Sequence, residues 1–159
     1  MEFFKADTGD INDLTQLRLE YLLDDYGEIP QDRLDLIAGS LPGYFCKHLN
    51  ADLFAFLCRE GGQAAGCCLL YVSEKPANPS FINGRTGSVL NVYTRPQFRR
   101  RGIARELMKM LLSEAESLGL DFVELKSTDE GYELYRSVGF EDSVSKYHNM
   151  KFVIDKRNM

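Results

Sequence analysis

Val92-Tyr93-Thr94-Arg95-Pro96-Gln97-Phe98-Arg99-Arg100-Arg101-Gly102-Ile103-Ala104 passes from a strand pattern into a helix pattern through one short turn. Upstream, Ser88 to Thr94 is apolar enough for a central strand, and Arg95-Pro96 ends it because proline offers no N–H to a ladder. Downstream, Ile103, Ala104, Leu107, Met108, Leu111, Leu112 and Ala115 form the wide apolar stripe of a helix predicted over Arg101 to Leu118, with Gly119 as its stop. A helix start leaves backbone N–H groups without intrahelical partners at the positive end of the helix dipole, which suits an anion such as a pyrophosphate. Gly102 removes a Cβ from the path of such an anion, and the small Ala104 lets the turn pack tightly. Arg95, Arg99, Arg100, Arg101 and Arg105 crowd the same place. Cations there oppose the dipole, so the cluster reads either as a solvated basic helix start or as one half of an anion site.

The rest of the chain makes that cluster conspicuous. Its 159 residues carry 19 Lys+Arg against 24 Asp+Glu, a net charge of −5, which argues against a general nucleic-acid or anionic-membrane surface. An anion must therefore be met locally. The length fits a single domain over residues 1–159. Cys46, Cys58, Cys67 and Cys68 show no C-x-x-C spacing, and the adjacent pair points to opposite faces of a strand, so all four are expected to be reduced core residues. There is no signal-like opening segment, no apolar run of about 18 residues, and Asn78-Pro79-Ser80 is not a glycosylation acceptor. A cytoplasmic setting is expected, with no nucleic-acid or membrane partner.

Glu2 to Ala6 predicts a first strand, and Asp7-Thr8-Gly9-Asp10 offers oxygens to cap a helix whose apolar positions are Ile11, Leu14, Leu17, Tyr21 and Leu22. The acidic stretch Asp24-Asp25-Tyr26-Gly27-Glu28 leads to a second helix over Gln31 to Leu49, interrupted by Gly39, Pro42 and Gly43. Leu53 to Cys58 and Ala64 to Val72 read as a hairpin pair turning at Glu60-Gly61-Gly62-Gln63. Ser73 to Gly87, with Pro76, Pro79, Gly84 and Gly87, reads as a long functional loop. Phe122 to Leu125 predicts a strand, Glu130 to Val138 a short helix, and Phe140 to Ile154 one or two closing strands. This order gives an α/β fold, a mixed sheet with helices on both faces.

A second motif, Gly131-Tyr132-Glu133-Leu134-Tyr135-Arg136-Ser137-Val138-Gly139-Phe140, follows at a plausible separation. Together, and in this order, the two motifs resemble those of the Gcn5-related N-acetyltransferase (GNAT) superfamily, whose first motif is Arg/Gln-x-x-Gly-x-Gly/Ala and whose later segment ends in Leu-Tyr-x-x-x-Gly-Phe. The resemblance implies a mostly antiparallel, twisted central sheet of six to seven strands, flanked by about four helices and splayed at the central strand. It also implies acetyl-CoA as cosubstrate, with Val92, Tyr93 and Thr94 alongside the pantetheine arm and Arg99, Arg100, Arg101, Gly102, Ile103 and Ala104 around the pyrophosphate.

An alkyl ammonium with a pKa near about 10.4 is rarely nucleophilic at neutral pH, and the departing thiolate of a thioester needs a proton. A phenol held against the thiolate can supply it, and the resemblance puts Tyr135 in that role. Two positions depart from the family. Ser88 and Asn91 occupy the region where some members place a general-base glutamate, which leaves the base unassigned. Ser127-Thr128-Asp129 replaces an asparagine that contacts the coenzyme in many members, and Thr128 could take over that hydrogen bond. The acidic stretch Asp24 to Glu28 reads as an attractor for a cationic amine or as an ordinary solvated loop, and with Ser73 to Gly87 it is expected to shape the acceptor pocket. His48 and His148 have no partners at ligand spacing, so no metal is expected. The leading expectation is direct acetyl transfer to a primary amine, small-molecule or peptide, in a ternary complex. A non-catalytic acyl-CoA-binding module is the alternative, and a nucleotide-binding domain is disfavoured by the absence of G-x-G-x-x-G. Exposed sheet edges would suit a homodimer.

Overall fold

Strict alternation along two long strands gives the molecule two cores, one on each face of its sheet. The computed structural model describes residues 1–158. In it, β1 (Glu2–Lys5), β2 (Leu53–Glu60), β3 (Gln63–Glu74), β4 (Arg85–Thr94) and β5 (Val123–Glu124) lie side by side in chain order. The first four are antiparallel, and β5 is parallel to β4. Phe54, Phe56 and Cys58 of β2 face one core, whereas Leu53, Ala55 and Leu57 face the other. Cys67 and Cys68 fall on opposite faces, as strand alternation requires. Cys58, Cys67 and Cys68 are buried, but Cys46 is exposed, because it lies on the outer side of a surface helix rather than in a strand.

Two helices cover the face of Leu53, Ala55 and Leu57, α1 (Ile11–Tyr26) and α2 (Gln31–His48). Asp7 begins the chain's approach to α1 with a capping box, its Oδ1 accepting from the Gly9 N–H at 2.8 Å while Asp10 Oδ2 accepts from the Asp7 N–H at 2.9 Å. α2 runs unbroken through Gly39, Pro42 and Gly43, since burying Leu41 and Phe45 outweighs the poor propensity of that turn. α3 (Ile103–Ser117) covers the other face with Ile103, Leu107, Met108 and Leu111 almost wholly buried. The short α4 (Tyr132–Ser137) brings Tyr135 against the rim of the same core. Among the described residues, no helix is long and apolar enough to cross a membrane.

β4 is where the sheet departs from regularity. Cys67 pairs with Tyr93 but Leu69 pairs with Leu90, so β4 carries one extra residue, a bulge at Asn91, whose φ is +54°. On its other side β4 meets β5 only at Gly87↔Val123 and Ser88↔Glu124. From Val89 to Thr94 that side of the strand faces a gap.

The sheet therefore has five strands among the described residues, not six to seven. The expected strand over Phe122–Leu125 shrinks to two residues, and Phe140 to Ile154 has the alternation of a strand without a neighbour to pair with. Alternation fixes which face a side chain takes, but pairing needs a partner edge. The loop is shorter than expected, residues 75–84, because β3 and β4 extend into it; the arginines precede α3 instead of opening it. Leu107, 0% exposed beneath the sheet, should be a keystone: Leu107→Ala is expected to cost about 2–5 kcal/mol, read as a lower urea midpoint with an unchanged slope.

Candidate active site

The turn before α3 leaves its backbone donors free. Pro96–Phe98 forms a single 3-10 turn, and the first intrahelical bond of α3 is Glu106 N–H to the Gly102 carbonyl at 3.1 Å. The N–H groups of Ile103, Ala104 and Arg105 precede it, and no side chain caps them among the described residues. Arg100 and Gly102 both take left-handed backbone, with φ of +62° and +80°. That conformation suits glycine, and the space where a Gly102 Cβ would stand is open. A groove of about 490 Å³ lies against this turn, lined by Thr94, Phe98, Arg99, Arg100, Gly102 and Arg105.

The arginines of the cluster have different tasks. Arg95 forks onto Glu20 of α1 with two bonds of 2.9 Å and also donates to the Ala64 carbonyl. Arg99 turns back to the Thr94 carbonyl at 2.8 Å and to Asp24 at 3.3 Å, above the Tyr93 ring. Arg101 points to Glu60 at 3.2 Å, next to Phe98, and away from the groove. Arg100 and Arg105 have no carboxylate within ion-pair distance among the described residues. The free cations of the groove are thus Arg100 and Arg105, and the second of these was not among the expected site residues.

On the opposite face of the sheet, a cavity of about 870 Å³ opens between α1, α2 and strands β3 and β4. Arg18, Tyr26, Glu28, Arg33, Tyr44 and Leu90 contribute to its wall. Arg18 donates to Asn91 Oδ1 at 3.1 Å, and Asn91 Nδ2 in turn donates to Cys67 Sγ at 3.3 Å, so the bulge residue links the cavity to the sheet. No carboxylate pairs with Arg18 among the described residues. Of the acidic stretch, Glu28 reaches the cavity, whereas Asp24 pairs with Arg99. The loop over residues 75–84 does not border it: Phe81 packs on Phe122 instead, 6.2 Å between ring centres.

Tyr135 packs at the border of the α3-side core. Its ring meets Phe140 edge-on at 6.1 Å, and Val92 borders the same core. Gly131 allows this position, because a Cβ there would lie 2.8 Å from the Tyr135 ring. Burial pushes the Tyr135 phenol up to about 12, with smaller contributions from Tyr21 and Cys68. Tyr21 belongs to the other face, where its ring meets Tyr93 edge-on at 6.4 Å. Thr128 Oγ1 accepts from the Gly131 N–H at 3.2 Å at the start of α4, which leaves its own O–H to donate.

The structure therefore places Val92 to Thr94 on the open edge of β4, and Arg99, Arg100, Gly102, Ile103 and Ala104 around one groove. It sends the Arg101 side chain elsewhere. Sequence patterning gives little sign of Arg18, Glu20 or the Asn91 bulge. Arg18 was legible only as a cation one turn beyond Leu14, on the edge of the apolar stripe of α1.

Comparison with known proteins identifies the family. Residues 11–140 match the model of the Acetyltransferase (GNAT) family, and the chain belongs to that family. It is similar to a predicted acetyltransferase from Clostridium acetobutylicum solved with acetyl-CoA, at 27% identity and a TM-score of 0.80, over 94% of this chain and 95% of that one. It shares its fold with a GCN5-related N-acetyltransferase from Ralstonia eutropha JMP134, at 24% identity and a TM-score of 0.76, over 94% and 97% of the two chains. The ribosomal-protein-alanine N-acetyltransferase of Brucella melitensis biovar Abortus 2308 also has this fold, at 21% identity and a TM-score of 0.67, over 96% and 100%. No curated protein sequence matches the chain.

The Arg95–Glu20 fork ties α1 to the end of β4 and should support both sides of the site. Glu20→Gln leaves a part-buried guanidinium without its charge and is expected to cost about 1–3 kcal/mol in urea unfolding.

Proposed function

We propose that the protein transfers the acetyl group of acetyl-CoA directly to a primary amine, with both substrates bound at once. The observation that carries this reading is the edge of β4 left unpaired with β5 beyond Ser88, with an anion-ready groove at Thr94 on one face of the sheet and a separate cavity at Leu90 on the other. Two substrates entering from opposite faces would meet there without a covalent enzyme intermediate.

The residues present fit the coenzyme. Uncapped N–H groups at the start of α3 suit a pyrophosphate, and the open space over Gly102 admits it. Arg100 and Arg105 are positioned to offset the remaining phosphate charge. The free edge of β4 from Val92 to Thr94 can hydrogen-bond an extended arm as a further strand would. When bound, the thioester supplies an activated acyl group. Backbone N–H groups at the bulge can hold the developing oxyanion, and Tyr135 gives its proton to the departing sulfur. A phenol whose pKa is about 12 keeps that proton across the working pH range. Glu20 is engaged by Arg95 through two hydrogen bonds, and the group that takes the proton from the amine is left unassigned.

The cavity also favours one kind of acceptor. Two guanidiniums, Arg18 and Arg33, face one carboxylate, Glu28, among apolar and aromatic walls. An amine that carries its own carboxylate fits this balance better than a polyamine does. Thiol release measured across a panel of amines tests both points: amino-acid-type amines should stimulate release, and tight CoA binding with no release for any amine would indicate a binding module instead.

Gly102→Asp, which introduces a strained side chain and a negative charge, should weaken CoA binding in a calorimetric titration more than any single Arg→Ala change at 99, 100 or 101. Arg101→Ala should have the least effect, since its side chain serves Glu60. Tyr135→Phe should lower kcat by about 10²–10⁴ while leaving CoA affinity within a few-fold. Because the neutral phenol is the active form and its pKa is raised, the wild-type rate should show no falling limb from Tyr135 below about pH 10. A variant with full turnover across the pH range would remove Tyr135 from the mechanism.

A further inference from the structure

Of the charged groups along the cavity between α1 and α2, Arg18 is oriented and has no anion to hold. Glu28 and Arg33 are exposed residues of its wall, and Arg33 donates to the Arg157 carbonyl. Arg18 is half-buried. Its Nη1 donates to Asn91 Oδ1 at 3.1 Å, and its guanidinium lies 5.7 Å from the centre of the Tyr21 ring. Neither contact neutralises its charge, and among the described residues no carboxylate lies within ion-pair distance of it. A guanidinium has several N–H donors in one plane, so spending one on Asn91 leaves a neighbouring pair for a forked partner.

Asn91 fixes this position from the sheet. It is 4% exposed at the bulge of β4, and its Nδ2 donates to Cys67 Sγ at 3.3 Å, which turns the amide oxygen toward Arg18. A single side chain therefore separates the guanidinium from the strand whose open edge is to receive the acyl group. Beyond Arg18 the cavity is walled largely by Leu22, Ile29, Ile37, Leu41, Leu69 and Leu90, and its volume of about 870 Å³ leaves room for a sizeable apolar group.

We infer that the acceptor is a free α-amino acid with an apolar side chain, selected through its carboxylate by Arg18, with Asn91 as the positioning residue. The inference rests on the acetyl-transfer reading above and narrows it. A carboxylate matches the guanidinium fork in charge and in plane. An amine at the edge of β4 and an anion on Arg18 lie close together, as they do on the two sides of one α-carbon. The acceptor's side chain then rests on the apolar wall, where leaving water adds to affinity. The first residue of a peptide carries an amide where the free amino acid has its carboxylate, and it would cover Arg18 without pairing it. Peptide and protein N-termini are thereby disfavoured, and a polyamine offers no anion at all.

Thiol release with L-leucine and with L-leucinamide, at saturating acetyl-CoA, tests this in the wild type, Arg18→Gln and Asn91→Asp. The two amines share a side chain and differ in charge where Arg18 would bind. Because they also differ in basicity, the quantity to read is the change in their kcat/KM ratio from one protein to another. Arg18→Gln is expected to shift the ratio toward the amide by about 10–100-fold, mostly through the KM for leucine. Asn91→Asp, which sets a carboxylate against Arg18, should shift it the same way, and Arg18→Lys should restore part of the preference by keeping the charge without the fork. A variant that only loosens the fold lowers both amines together. If Arg18→Gln loses its folded circular dichroism spectrum, Asn91→Asp carries the test. A ratio that stays within about threefold of the wild type in the folded variant overturns the proposal. Should neither amine release thiol, calorimetric titration of leucine into the CoA complex separates the two readings. Binding that Arg18→Gln abolishes keeps Arg18 as the carboxylate receptor and removes acetyl transfer, whereas no binding to the wild type overturns the proposal and leaves transfer to other amines standing.

Discussion

The early end of hydrogen bonding between β4 and β5 is the constraint on which the rest of the molecule depends. After Gly87 and Ser88 the two strands part, and a central strand acquires an open edge along Val89 to Thr94. Unpaired backbone groups inside a protein are costly unless something bonds them. The open edge is tolerable where a bound chain or water can reach it, and Thr94 at its end lines the groove before α3. The bulge at Asn91 adds to the separation by bending β4 at the same place.

Around this gap, charge is arranged so that few of the basic residues remain available. Glu20 and Asp24 of α1 engage Arg95 and Arg99, and Glu60 at the end of β2 engages Arg101, which braces the turn against α1 and the β2–β3 hairpin. What is left for an anion is mainly backbone, the uncapped N–H groups at the start of α3, together with Arg100 and Arg105. The arrangement resolves the conflict of cations at a helix start. Arg101, next in sequence to the helix start, is turned onto Glu60, whereas Arg100 and Arg105 stay at the groove, where an anion would offset them together with the dipole.

The two halves of the chain use their burial differently. Everything through α3 is packed between two well-filled cores, whereas the segments after Ser117 leave a thin edge strand, a short helix and an exposed strap.

The sequence by itself determined a good deal. The apolar stripe of α3, the alternation of β2 and β3, the opposed Cys67 and Cys68, and the strand–turn–helix from Val92 to Ala104 all follow from local periodicity and from the properties of proline and glycine. Each is a short-range constraint, so each could be read from neighbouring residues. The tertiary structure alone decided the length of β5, the continuity of α2 through Pro42, the fate of the Phe140–Ile154 strand pattern, and which arginines stay free. Those outcomes depend on partners far along the chain. Arg95 lies 75 residues from Glu20 and Arg101 lies 41 from Glu60, and no local pattern records a contact at that range. The turn before α3 could be read from sequence as a candidate anion site, but which of its side chains stay unpaired was decided only when distant carboxylates came to meet the others.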